Sequence, residues 1–336
     1  MTRMKTTPLG TTGEQVSALA LGCMQMGTIT DDEASFALLD RYVEHGGAFL
    51  DTADCYSWWW ARGTQGGQSE DVLGRWMEQR GNRDRTFVAT KATARVNAVE
   101  HAWTDGEPDW GYARANFVGA GAARLRESLE ASLRRLRTDR IDLYYVHVDD
   151  LATPLEETLE TLAGFVAEGK VRYLGWSNVR TWRLERIRQL CERNGWPVPV
   201  ALQQEYSLLH RRAGLRTSSI VDDEQLDYLE HHPDLTLVAY SPVLKGLYDQ
   251  WPDQVGANWL LESYRGERAE SQLEAVREVA GELGVLPSQV VLAWLAQHSP
   301  AVVPIIGTAS PERLDQAVAA VELGLTDAHL ARLATA

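Results

Sequence analysis

One pattern constrains this chain more than any other. A short apolar run, a turn and an amphipathic stretch with helical spacing recur eight times in strict alternation. The apolar runs read as strands at Ala18–Met24, Ala48–Ala53, Thr86–Lys91, Ile141–His147, Val171–Ser177, Pro199–Glu205, Leu235–Ser241 and Ala301–Gly307. They are rich in Val, Ile, Leu and aromatics, as strands buried on both faces are. Helices are expected over Asp31–His45, Ser69–Arg80, Gly119–Thr138, Pro154–Glu168, Arg180–Asn194, Asp222–His232, Pro287–His298 and Pro311–Ala320. Ala269–Leu283 and Thr326–Thr335 add an extra helix and a final one. Pro154, Pro287 and Pro311 mark first helical positions. Gly46, Gly81, Gly169 and Gly195 follow helix ends, where a left-handed residue is wanted.

Strict alternation implies parallel strands joined by crossover helices. Eight such units close a barrel. The expected fold class is α/β: a single (β/α)8 TIM barrel over residues 1–336, with an N-terminal β-hairpin cap within residues 1–17. The cap rests on Thr6–Val16, which carries the turn-rich Leu-Gly-Thr-Thr-Gly. A doubly wound open sheet is the alternative, and it usually has fewer strands.

Charge and cysteines narrow the function classes. The formal net charge is −14. That argues against a nucleic-acid partner, which wants a basic face, and against docking on an anionic membrane. No apolar run approaches the ~18 residues of a membrane span, and Met1–Gly10 lacks the apolar core of a signal peptide. Cys23, Cys55 and Cys191 are widely spaced and show no metal-ligand pattern, so a reducing cytoplasm is expected. Only Lys5, Lys91, Lys170 and Lys245 are lysines among 33 basic residues. Each lysine therefore invites a reason, since its charge is tunable where that of arginine is not.

Several motifs are missing. No GxGxxG follows the first strand; Gly119-Ala120-Gly121-Ala122-Ala123-Arg124 lacks the third glycine and reads as the start of a helix. No P-loop, HExxH or GxSxG elbow occurs. A reductase design with tyrosine four residues before lysine on a helix is also excluded. The positions four before the lysines hold Met1, Phe87, Val166 and Ser241.

Barrel chemistry sits at the C-terminal ends of the strands. Those ends present Asp51 with Tyr56 just beyond, Lys91, His147, Ser177 with Asn178, Gln204, Tyr240 with Ser241, and Gly307 with Thr308. Asp, Tyr, Lys and His on successive units suit proton and hydride transfer. A tyrosine titrates near 10, and an ammonium beside it favours the phenolate. Lys91 is placed to do this, with Asp51 holding it charged. His147 is placed to orient a carbonyl oxygen.

The chain resembles an aldo-keto reductase from Leu9-Gly10 to Leu325. The resemblance rests on Phe49-Leu50-Asp51-Thr52-Ala53-Asp54-Cys55-Tyr56, Gln68-Ser69-Glu70-Asp71-Val72-Leu73-Gly74 and Asp139-Arg140-Ile141-Asp142-Leu143-Tyr144-Tyr145-Val146-His147. It continues in Lys170-Val171-Arg172-Tyr173-Leu174-Gly175-Trp176-Ser177-Asn178, Ala239-Tyr240-Ser241-Pro242 and Pro304-Ile305-Ile306-Gly307. It implies reduction of an aldehyde or ketone by NADPH, with Tyr56 as general acid, Lys91 and Asp51 tuning it, and His147 orienting the carbonyl. It further implies that Ser177, Asn178 and Gln204 hold the nicotinamide carboxamide and that Tyr240 stacks on the ring. The loop with Ser241, Val243, Lys245 and Gly246 would lie along the pyrophosphate. Gly307, Thr308, Ser310 and Arg313 would reach the adenosine 2′-phosphate.

The chain departs from the family between Tyr56 and Gly67, where it inserts Ser-Trp-Trp-Trp-Ala-Arg-Gly-Thr-Gln-Gly. Trp58, Trp59 and Trp60 flank the expected acid. At least one of them, with Trp103 or Trp110, is expected to wall a pocket for aromatic or extended apolar carbonyl substrates. Two other classes stand beside this reading. One is a cofactor-binding regulatory subunit of the same fold with little turnover. The other is a barrel aldolase or isomerase with a Schiff base on Lys91.

Overall fold

In the computed structural model, which describes residues 4–60, 62–250, 259–264, 266 and 268–335, the eight expected strands all form and close on themselves. The first half of the chain runs β1 (Thr6–Pro8), β2 (Gln15–Ser17), β3 (Ala20–Gly22), α1 (Asp32–Glu44), β4 (Phe49–Asp51), α2 (Gln68–Arg80), β5 (Phe87–Ala92), β6 (Trp103–Thr104), β7 (Glu107–Pro108), α3 (Trp110–Ala115), α4 (Ala122–Leu136), β8 (Ile141–Val146) and α5 (Leu155–Ala167). The second half runs β9 (Val171–Ser177), α6 (Thr181–Asn194), β10 (Ala201–Glu205), α7 (Asp223–Glu230), β11 (Thr236–Tyr240), α8 (Ala269–Leu283), α9 (Pro287–Ala296), β12 (Val302–Ile306), α10 (Pro311–Glu322) and α11 (Asp327–Thr335).

The barrel order is β3–β4–β5–β8–β9–β10–β11–β12, and Ile305 of β12 pairs with Ala20 of β3 to close it. Every pairing within it is parallel. Strand periodicity divides the core in two. Phe49, Ala89, Leu143, Ala201 and Val238 fill the barrel interior. Leu50, Val88, Tyr144, Leu202 and Leu237 face the helices.

β1 and β2 form the expected antiparallel hairpin, Thr6 opposite Ser17; residues 1–3 lie outside the described residues. Leu9 and Val16 pack on Phe49 and Phe87, the first residues of β4 and β5, so the hairpin plugs the N-terminal end. Gly10 makes this approach possible. It sits at φ +51, and a Cβ there would lie 2.2 Å from the Asp234 carbonyl oxygen. With that end plugged, the opposite mouth is left for chemistry.

Helix boundaries agree with the sequence reading to within a few residues, with one correction at a cap. Pro287 and Pro311 stand in the first turns of α9 and α10. Pro154 is instead the extended residue before α5, at φ −53 and ψ 127. Asp150 bonds the backbone N–H groups of Ala152 and Thr153, and that turn delays the helix by one residue.

The stretch between β5 and α4, irregular by its sequence, holds structure of its own. β6 and β7 form a ribbon joined by Asp105 and Gly106, at φ 52 and 88. α3 follows, capped by the Asp109 side chain on Tyr112 N. This excursion carries Trp103 and Trp110 back over the residues after β4.

Candidate active site

Residue parity decides what enters the mouth. Phe49 and Asp51 share the inner face of β4, and Phe87, Ala89 and Lys91 share that of β5. The Asp51 carboxylate and the Lys91 ammonium therefore meet inside the barrel. Lys91 Nζ donates to Asp51 Oδ1 at 2.5 Å, to the Thr52 carbonyl at 2.8 Å and to Tyr56 OH at 2.9 Å. The Lys91 side chain is 0% exposed and that of Asp51 3%. A buried ammonium needs such partners, and here its three N–H bonds are all committed. Because the Tyr56 oxygen accepts from Lys91, its own proton is free to point elsewhere.

The electrostatics correct one expectation. Lys91 was expected to pull the Tyr56 phenol down. Burial, with the Asp51 carboxylate beside it, instead holds that phenol well above its ordinary value. Asp51 offsets the ammonium, and the desolvated phenolate is the costlier form. Tyr56 is therefore protonated. His147, the residue just past β8, continues the alternation of Leu143 and Tyr145, with its ring edge-on to Tyr56 at 5.7 Å between centroids. Burial, then the Lys91 charge, keeps its imidazole well below the usual histidine range and neutral.

Asn178 joins three predicted residues. Its side-chain amide donates to the His147 carbonyl at 2.8 Å and to Ser177 Oγ at 3.1 Å, and its Oδ1 accepts from Tyr240 OH at 2.9 Å. Tyr240, half-buried at the end of β11, is thus tethered by its hydroxyl to Asn178, which in turn bonds His147.

Gln204 is not among the groups at the mouth. It lies on the outer face of β10, where its amide accepts from Asn178 N and donates to the carbonyls of Val179 and Ser218. Its inward neighbour Gln203 is the residue that the sequence reading missed: Gln203 Nε2 donates to Asp51 Oδ2 at 2.8 Å. Strand parity was the available signal, since Ala201 and Gln203 share one face and Leu202 and Gln204 the other.

After β11, Ser241, Leu244, Lys245 and Gly246 all adopt positive φ, with Val243 between them at φ −107. Two tight turns result, Leu244 N to Ser241 O and Gly246 N to Val243 O. After β12 and Gly307, Thr308 Oγ1 accepts from Ser310 N, and Ser310 Oγ caps α10 by accepting from Arg313 N. The hydroxyls of Thr308 and Ser310 thus order the turn, and the exposed Arg313 side chain projects from the first turn of α10.

The tryptophans sort by depth. Trp58 is 1% exposed and packs against Trp59, Trp103 and Trp110. Trp59 stands edge-on to Tyr56 at 6.0 Å and tilted against Trp110 at 5.6 Å. Trp110 is 42% exposed, and among the described residues the one ring contact of Trp60 is with Trp59. One aromatic line thus runs from Tyr56 through Trp59 to the solvent-facing Trp110, with Trp58 and Trp103 as its backing. Ala61, within the same insert, lies outside the described residues.

The chain is similar to known proteins in sequence and in fold. The Aldo/keto reductase family model matches residues 18–336. An uncharacterized oxidoreductase of Bacillus subtilis, YrpG, is 33% identical over 96% of this chain and 92% of its own. The aryl-alcohol dehydrogenase [NADP(+)] of Phanerodontia chrysosporium is 30% identical over 94% of this chain and 80% of its own. The crystal structure of the thermostable aldo-keto reductase Tm1743 with the inhibitor epalrestat superposes with a TM-score of 0.73 at 26% identity, covering 99% of both chains. With the family pattern matched along nearly its whole length and a closed barrel beneath it, the chain belongs to the aldo/keto reductase family and is an oxidoreductase.

Proposed function

We propose that the protein reduces aryl aldehydes or ketones to alcohols with NADPH, using Tyr56 as general acid. The observation that carries this is the single ammonium of Lys91 bonded at once to Asp51, Thr52 and Tyr56 inside the barrel mouth. The donor set suits a dinucleotide phosphate. A guanidinium grips phosphate oxygens bidentately, Arg313 offers one at the start of α10, and helix N-termini favour anions. When bound, the dihydronicotinamide supplies a hydride. Tyr240 and Asn178 would hold the ring end of the cofactor, and Arg313 the 2′-phosphate end.

This chain's residues do the rest. Tyr56 gives its proton to the carbonyl oxygen as negative charge develops there. Lys91 stabilises the phenolate left behind, and Asp51, steadied by Gln203, keeps the ammonium in place. The neutral imidazole of His147 donates to the same oxygen and orients it. A Schiff base on Lys91 finds no support in this geometry, because all three donors of that amine are engaged by Asp51, Thr52 and Tyr56. The test is loss of NADPH absorbance over a panel of aryl and aliphatic carbonyls. Turnover of aryl members supports the proposal, whereas tight NADPH binding with no turnover anywhere supports the regulatory-subunit reading.

Two expected results follow from this site. Arg313→Ala weakens NADPH by about ten- to a hundredfold, the scale of a lost charge-assisted contact, and leaves NADH affinity nearly unchanged. Fluorescence titration with both cofactors checks it, and equal losses contradict it. Trp59→Ala raises the Michaelis constant for aryl carbonyls by about tenfold, from lost stacking and apolar contact, while NADPH affinity holds. An unaltered substrate profile would make Trp59 a structural anchor like Trp58.

A further inference from the structure

Cys55 stands immediately before the proposed acid and is 3% exposed. Its Sγ lies 3.5 Å from His147 Nδ1. Among the described residues no other group hydrogen-bonds to that ring; the Asn178 amide takes the His147 backbone carbonyl, and Tyr56 meets the ring only edge-on. A neutral imidazole has one N–H donor and one bare nitrogen acceptor, and the partner of one nitrogen decides the state of the other. The direction of this bond follows from the inventory of groups. An imidazole nitrogen is a strong acceptor and a thiol sulfur a weak one. Among the described residues the Cys55 sulfur makes no other hydrogen bond.

We propose that Cys55 is a positioning residue: its thiol donates to His147 Nδ1, which fixes the imidazole as the Nε2–H tautomer and aims a donor at the substrate carbonyl oxygen. The role of that donor rests on the carbonyl-reductase reading; the tautomer itself does not. The pair is neutral on both sides. Burial, then the Asp54 carboxylate, pushes the Cys55 thiol well up. Burial and the Lys91 ammonium push His147 down. This is the reverse of the thiolate–imidazolium pair of a cysteine nucleophile. The packing suits it: Cys55 sits among Ala53, Trp58 and Ala94, which exclude water from the sulfur.

The competing account is that Cys55 merely fills space there. The full chain, labelled with 15N and examined at pH 8 by long-range proton–nitrogen NMR, separates the two, with the His147 resonances assigned by their loss in His147→Gln. The wild type is expected to show a protonated Nε2 and a bare Nδ1. Cys55→Ser keeps a donor and the same tautomer. Cys55→Ala and the bulkier Cys55→Val show a mixture, and kcat/KM for an aryl aldehyde falls about three- to tenfold, the scale of one neutral hydrogen bond, with NADPH affinity unchanged. A wild type with Nδ1 protonated, or an unshifted tautomer in both Cys55→Ala and Cys55→Val, overturns the proposal. If the tautomer responds as expected but the wild type reduces no carbonyl, the functional reading fails and the thiol–imidazole bond stands.

Discussion

Tyr56→Phe lowers turnover of an aryl aldehyde by about 10²–10⁴-fold, the range for loss of a positioned general acid, and leaves NADPH affinity nearly unchanged. The hydroxyl accepts from Lys91, which leaves its own proton uncommitted to that bond. Burial and Asp51 hold that proton on at neutral pH. In the proposed reduction its contribution is realised as charge develops on the carbonyl oxygen, in the transition state rather than in cofactor binding. Phenylalanine retains the ring, its contact with Trp59 and its packing beside His147. The measurement is steady-state kinetics beside a cofactor titration. Near-normal turnover would remove Tyr56 from the acid role, and loss of NADPH binding would show that the substitution disturbs the mouth itself.

Lys91→Met is expected to damage stability and activity together. The substitution keeps the stem of the side chain and removes the ammonium. Asp51 then stays buried, with Gln203 as its remaining side-chain donor. Breaking a buried pair from one side typically costs about 3–5 kcal/mol, because a charge is left without compensation. The urea midpoint should fall accordingly. Removing the stranded charge as well, in the double variant with Asp51→Asn, should recover most of that stability while activity stays lost. That split separates the two roles of the pair. A single Lys91→Met as stable as the wild type would mean that the pair is not desolvated as the structure shows it.

The barrel was legible because its signals are local and repeat. Each strand is a short apolar run and each helix carries its own spacing and stops, so eight repetitions outweigh error at any one of them. The ribbon β6–β7 was missed for the opposite reason. Its two strands are too short to show a period, although Asp105-Gly106 is the strongest two-residue hairpin signal there is. Both residues take the positive φ that such a turn requires. Asp51, Tyr56, Lys91 and His147 were legible at strand ends because a barrel puts chemistry there. Gln203 and Gln204 were confused because two identical residues stand side by side on one strand, and a shift of one exchanges the barrel interior for the helix layer.

The amino-acid sequence by itself determined the number and order of the barrel strands, the placing of Asp51, Tyr56, Lys91 and His147 at or just past the ends of those strands, and the family pattern they spell. Period and punctuation lie within a few residues of one another along the chain, so no distant contact is needed to read them. Only the tertiary structure decided which partners those residues find. Lys91 and Asp51 are 40 residues apart, Gln203 and Asp51 152, and Cys55 and His147 92. Those pairs meet because parallel strands from separate units bring their inner faces to one mouth. The protonation states follow from the burial this produces: the same tyrosine that an ammonium alone would acidify is held protonated once Asp51 and a dry interior surround it. Desolvation is a property of the assembled barrel and has no counterpart in the order of residues along the chain.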